Sequence, residues 1–143
     1  MTDHGQISAG LARSGRPTRA EVLAGVAAVL DAGGSPWAWQ GPEDAPDQWA
    51  AATGPKDLDV WTAGSQRAAE EAVAALRRRF TAALIAEAHD PRRLRHVSIA
   101  VLTSTGPAVV DLTYGDLAVG PVVLMRATEV TVDRSAHRLT GVA

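Results

Sequence analysis

The chain contains no cysteine, which excludes disulfides, thiolate metal sites and cysteine nucleophiles and is compatible with a reducing cytoplasm. It has no run of about 18 apolar residues able to cross a bilayer as a helix, and no N-terminal apolar stretch suited to secretion. A cytoplasmic protein without membrane association is therefore expected. A polybasic face is also missing: 14 Lys and Arg stand against 16 Asp and Glu, for a net charge of −2. That balance argues against a protein whose main task is gripping a nucleic-acid backbone, and the local cluster Arg92, Arg93 and Arg95 reads more simply as a solvated turn. The sequence holds no Gly-x-Ser-x-Gly, no Walker A motif and no His-Glu-x-x-His, so hydrolytic triads, P-loop chemistry and zinc-protease chemistry are not supported. What remains is 143 residues, 46% hydrophobic and 21% charged, enough for one soluble domain with a real core.

Residues 1–17 are polar and aperiodic and read as a flexible leader, leaving 18–143 as a single domain. Thr18-Arg19-Ala20-Glu21 has capping-box spacing, and Val22, Leu23, Val26, Val29 and Leu30 follow with helical period until Gly33 and Gly34. Pro36 to Gln40 alternates tryptophans and predicts a strand closed by Gly41-Pro42. A short helix is expected between Glu43 and Thr53, with Asp44 or Asp47 as its N-cap, and Gly54-Pro55 ends it. Residues 66–79 predict a second long helix with Ala69, Val73 and Leu76 inward and three arginines in its last turn. Phe80 to Ala88 reads as a strand and residues 89–93 as a turn. His96 to Leu102 and Pro107 to Thr113 then predict a hairpin about Thr103-Ser104-Thr105-Gly106, followed by a turn at 114–116, an apolar run from Pro121 to Met125 and a short element over 127–132. The order indicates an α/β or α+β fold with a mixed β-sheet and flanking helices.

Within that order, Lys56-Asp57-Leu58-Asp59-Val60-Trp61 alternates two carboxylates with apolar residues, so a strand would turn Leu58 and Val60 to a core and both acids to the opposite side. A third acid, Asp111, lies in the strand-like run 108–113. Hard carboxylate oxygens in this pattern suit Mg²⁺ and the in-line displacement chemistry of phosphoryl and nucleotidyl transfer. A lone Asp-x-Asp is more often a pair of surface acids beside a turn; the third acid and the element order raise the metal reading above that. His89 and His96 read as surface or structural residues, and Trp37, Trp39, Trp49 and Trp61 as core or oligomer contacts, with one or two left as candidates to stack on a base.

Together the acids and the element order resemble the nucleotidyltransferase superfamily that includes DNA polymerase beta, in its minimal single-domain form, over roughly residues 37–132. The resemblance implies a nucleotidyltransferase-like fold, with Asp57, Asp59 and Asp111 as metal-ligating catalytic acids and Gly41 as the nucleotide-gripping turn. Pro42 stands where the family carries a second Gly or Ser, and proline has no amide hydrogen to offer a triphosphate. Gly54 and Lys56, just ahead of the acids, are the expected substitutes for that grip. The implied activity is Mg²⁺-dependent transfer of a nucleoside monophosphate from an NTP to a hydroxyl on a small molecule, protein or RNA. With no evident second domain, a protein partner or a homodimer is expected to complete the site. The competing expectation is a catalytically inactive member of the same fold acting as a binding or assembly module, such as an antitoxin or a biosynthetic accessory protein.

Overall fold

The computed structural model describes residues 15–80, 85–88, 95–119 and 121–142. Most of the expected leader, and the residues expected to turn at 89–93, lie outside that set. The described residues form a mixed α+β fold in the order α1 (Arg19–Gly33), β1 (Trp37–Trp39), α2 (Ala45–Ala51), β2 (Asp57–Thr62), α3 (Gln66–Arg79), β3 (Ile85–Ala88), β4 (His96–Thr103) and β5 (Gly106–Tyr114). Two hairpins follow: β6 (Leu117–Val119) with β7 (Val122–Met125), and, after a 3-10 turn at Ala127–Glu129, β8 (Val130–Asp133) with β9 (Arg138–Val142).

Helix α1 begins where its capping box dictates. The Glu21 N–H donates to Thr18 Oγ1 (3.1 Å) and the Glu21 carboxylate accepts from the Thr18 backbone (3.4 Å), while Gly34 ends the helix at φ 80°. Ser65 caps α3 by accepting from the Ala68 N–H (3.2 Å), and Arg77, Arg78 and Arg79 occupy its last turn. The short α2 follows Asp44, whose side chain accepts from Gln48 Nε2 (2.6 Å) and makes no bond to the helix backbone. The chain is already held at Pro17, which is buried and whose carbonyl accepts from Ser104 N–H (2.9 Å).

The main sheet has the order β1-β2-β5-β4-β3, antiparallel except for the central β2–β5 pair, which is parallel. All the long helices pack on one side of it. Val22, Val26 and Leu30 of α1 and Ala69, Val73 and Leu76 of α3 meet Leu58, Val60, Ile99, Val101, Val110 and Leu112 in a single apolar layer. Trp37 and Trp39 complete that layer with their rings edge to face at 4.9 Å. All four tryptophans are buried, so they serve the core and are not the stacking surface for a base.

Among the described residues, the two C-terminal hairpins cover one end of the opposite side of the sheet. There Trp61 and Ala38 join Val130, with Leu117, Met125, Ala127 and Val132 packed against them, so the two C-terminal hairpins roof the sheet beyond Trp61. Trp61 Nε1 donates to the Gly115 carbonyl (2.8 Å), anchoring the roof's first turn. Asp116 fixes its far side, accepting from the Ala127 N–H (2.8 Å) and from Arg126 (3.3 Å). Those bonds, the backbone one foremost, hold the Asp116 carboxyl below its ordinary range. Beyond Trp61 toward the start of β2, the same face carries the polar residues.

At the other end of the molecule Arg19 is buried. Its guanidinium donates to Thr105 Oγ1 (3.2 Å), the Pro107 carbonyl (3.0 Å) and the Gly54 carbonyl, and lies over the Trp49 ring at 5.4 Å. Burial pulls its pKa down from the usual arginine value. One arginine thus ties the start of α1 to the segments that lead into β2 and β5.

Candidate functional site

Alternation along β2 gives the burial sequence exposed, buried, exposed, buried over Asp57, Leu58, Asp59 and Val60. Leu58 and Val60 belong to the helix-side core, so Asp57 and Asp59 rise from the opposite face. In the parallel ladder Asp57 is opposite Val109 and Asp59 is opposite Asp111. Directly paired residues on neighbouring strands share a face and are separated by about 4.8 Å. The third acid therefore stands beside the second.

Four more polar residues join this face through the hairpin and the edge strand. Register pairs Ser98 with Asp111 and His96 with Thr113, while the Gln40 N–H donates to the Asp59 carbonyl (2.9 Å). Thr113 Oγ1 reaches Gln40 Oε1 at 3.4 Å. The face reads across the sheet as Gln40, then Asp57 and Asp59, then Asp111 and Thr113, then His96 and Ser98.

Asp111 is 4% exposed and His96 2%, and the carboxylate is held at one oxygen. Ser98 Oγ donates to Asp111 Oδ1 (2.5 Å), and His96 Nε2 lies 3.1 Å from the same atom. Buried carboxylates need such donors, because an unsatisfied charge in a low-dielectric site is costly. Among the described residues, both side-chain bonds fall on Oδ1. His96 and Ser98 are the members of the site that sequence reading missed. Of the two expectations for His96, surface or structural, the second holds: it is buried, and the same hairpin that carries Asp111 fixes it.

The turn after β1 carries Gly41 at φ 96°, a conformation that favours glycine. Gly41 and Pro42 turn their carbonyls to Arg138, at 2.6 and 3.2 Å, and the Trp39 carbonyl lies 3.4 Å from the same guanidinium. Gly54 is likewise left-handed, at φ 76°. Its N–H donates to the Thr105 carbonyl (3.3 Å) and its carbonyl accepts from Arg19, so its backbone secures the β4–β5 turn. Lys56 is exposed, and its carbonyl accepts from Trp49 Nε1 (2.8 Å) and Val109 N–H (3.3 Å). The glycine and the lysine thus flank the acids, while their main-chain groups are spent on holding β2 against β5.

The donor chemistry of Asp57, Asp59 and Asp111 suits a hard divalent cation such as Mg²⁺. Among the described residues, no three Asp, Glu or His side chains form one cluster able to hold a metal ion. The ladder supplies a pair, Asp59 beside Asp111, with Asp57 one pleat away. No family profile, no curated protein and no solved structure matches this chain.

Proposed function

We propose that this protein is a Mg²⁺-dependent nucleotidyltransferase-like protein that transfers a nucleoside monophosphate from an NTP to a hydroxyl acceptor. The observation that carries the reading is the direct pairing of Asp59 with Asp111 across the parallel ladder, on the sheet face away from the helices. Asp59 and Asp111 would hold the cation, with Asp57 completing its shell by a side-chain rotation. A bound Mg²⁺ supplies charge neutralisation at the phosphates. Ser98 and His96 hold Asp111 through Oδ1, and Asp111 would serve as a metal ligand and as the base for an attacking hydroxyl. The polar strip from Gln40 to Thr113 lines the approach to the acids.

Titration of the protein with ATP, GTP, CTP and UTP, with and without Mg²⁺, tests this reading. Metal-dependent binding of one nucleotide that is lost in the Asp57→Asn/Asp59→Asn double variant supports it. Absence of binding to all four nucleotides rejects it.

A second reading is an inactive binding or assembly module of the same fold. It is favoured by the apolar hairpin strand β7, where Val122 and Leu124 are 59% and 66% exposed, an uncommon arrangement on a surface that needs no partner. Under that reading the double variant would leave capture of the protein partner unchanged.

A further inference from the structure

Pro42 has no N–H, so the turn after β1 lacks one backbone donor. A cation from the C-terminal hairpin stands at the same place. Arg138 opens β9, and the residue before it, His137, accepts from the Trp39 N–H through its carbonyl (2.9 Å) and stacks its ring on Trp37 at 3.8 Å. The hairpin is therefore fastened along the outer edge of β1, and Arg138 is delivered to the turn that follows.

Its bonding there is one-sided. A guanidinium has five N–H donors. Arg138 directs Nη1 to the carbonyls of Trp39 and Pro42 and Nη2 to that of Gly41. The acceptors are all neutral, and among the described residues no carboxylate forms an ion pair with Arg138. The guanidinium is thus fixed in place by three neutral acceptors. Among the described residues, Nε makes no bond and Nη2 makes one, which leaves the Nε–Nη2 edge as the candidate fork for two oxygens of a phosphate. The turn itself adjoins the acids, because Gln40 bonds Asp59.

We infer that Arg138 is an anion-binding residue, taking a phosphate of a polyphosphate chain with its Nε–Nη2 edge beside the turn at Gly41 and Pro42. The identity of the ligand as an NTP rests on the nucleotidyltransferase reading; the anion site itself does not.

Inorganic tripolyphosphate, titrated into the full chain in EDTA, separates the two. Binding should weaken at least about 10-fold in Arg138→Gln, as expected for loss of a charge-assisted fork, and persist in Arg134→Gln on the same hairpin and in Asp57→Asn/Asp59→Asn. Arg138→Lys, which keeps the charge and loses the fork, should fall between, and its near-ultraviolet circular dichroism should match that of the parent. No tripolyphosphate binding by the parent, or equal binding by Arg138→Gln, overturns the inference. If Arg138→Gln does not fold, equal binding by Arg138→Lys overturns the fork. Arg138-dependent tripolyphosphate binding without Mg²⁺-NTP binding would sink the transferase reading and leave this site standing. NTP binding indifferent to Arg138 would do the reverse.

Discussion

Ser98 and Asp111 are cross-strand partners in the β4–β5 hairpin, and Ser98 Oγ donates to Asp111 Oδ1 at 2.5 Å. The same oxygen faces His96, so a buried carboxylate is oriented by two residues of the adjacent strand. This is the bond on which the geometry of the site most depends.

Replacing Ser98 with Ala removes one of these donors and leaves a charged acceptor short of a partner. A bond to a charged group is worth about 1.5–3 kcal/mol, so the urea midpoint should fall by a corresponding amount. An unchanged midpoint would show that Asp111 is held equally well without Ser98.

Gly25 and Gly33 of α1 should respond to alanine with opposite signs. A Cβ at Gly25 would lie 2.6 Å from the Phe80 ring, whereas one at Gly33 meets nothing within 4 Å. Overpacking costs about 1–3 kcal/mol, which outweighs the roughly 0.5–1 kcal/mol of helix propensity that alanine contributes. Gly25→Ala should lower the melting temperature and Gly33→Ala should raise it. A rise for both would mean that Phe80 moves aside at no cost.

Arg19→Ala leaves the carbonyls of Gly54 and Pro107 without their donor and opens space over Trp49. A loss of about 2–3 kcal/mol is expected, because buried acceptors left without a donor cost about 1–3 kcal/mol. Denaturant unfolding measures it, and a loss below about 1 kcal/mol would assign Arg19 to the periphery.

Acid should loosen the roof. The folded pKa values of Asp116 and Asp133 lie below the ordinary 3.8, the first through the Ala127 N–H and Arg126, the second through Ser135 and Ala136. A depressed folded pKa contributes stability that is present above the unfolded value and is lost as pH falls through the folded one. The melting temperature should therefore decline below pH of about 4, and less steeply in Asp116→Asn. Identical slopes in the two proteins would remove Asp116 from the acid response.

Much of this architecture can be read without coordinates. The capping box at Thr18 and the cap at Ser65 set two helices where the apolar period places them, and the alternation in 57–61 turns the acids away from the core. The turn centred on Ser104-Thr105 fixes Thr103 opposite Gly106, and counting back along the hairpin then puts Ser98 opposite Asp111 and His96 opposite Thr113. The partners of the third acid were thus available from register alone; they were obscured because a histidine in isolation reads as surface or structural, with no partner named. The parallel register that brings Asp59 to Asp111 depends on the crossover through α3, β3 and β4, and no local pattern specifies it. Strands β6 and β9 escaped notice because short, partly exposed strands carry little alternation, and Arg138 escaped with them: its neighbours lie almost a hundred residues earlier in the chain.

The central claim is that the Asp59–Asp111 pair holds a divalent cation. Electron paramagnetic resonance of Mn²⁺, used in place of Mg²⁺ and titrated with the purified protein at neutral pH, tests it most directly. The account predicts that the signal of free Mn²⁺ is depleted by the parent protein, far less by Asp59→Asn and Asp111→Asn, and recovers when Mg²⁺ is added in excess. A free-Mn²⁺ signal undiminished by the parent, or depleted equally by both variants, would contradict it.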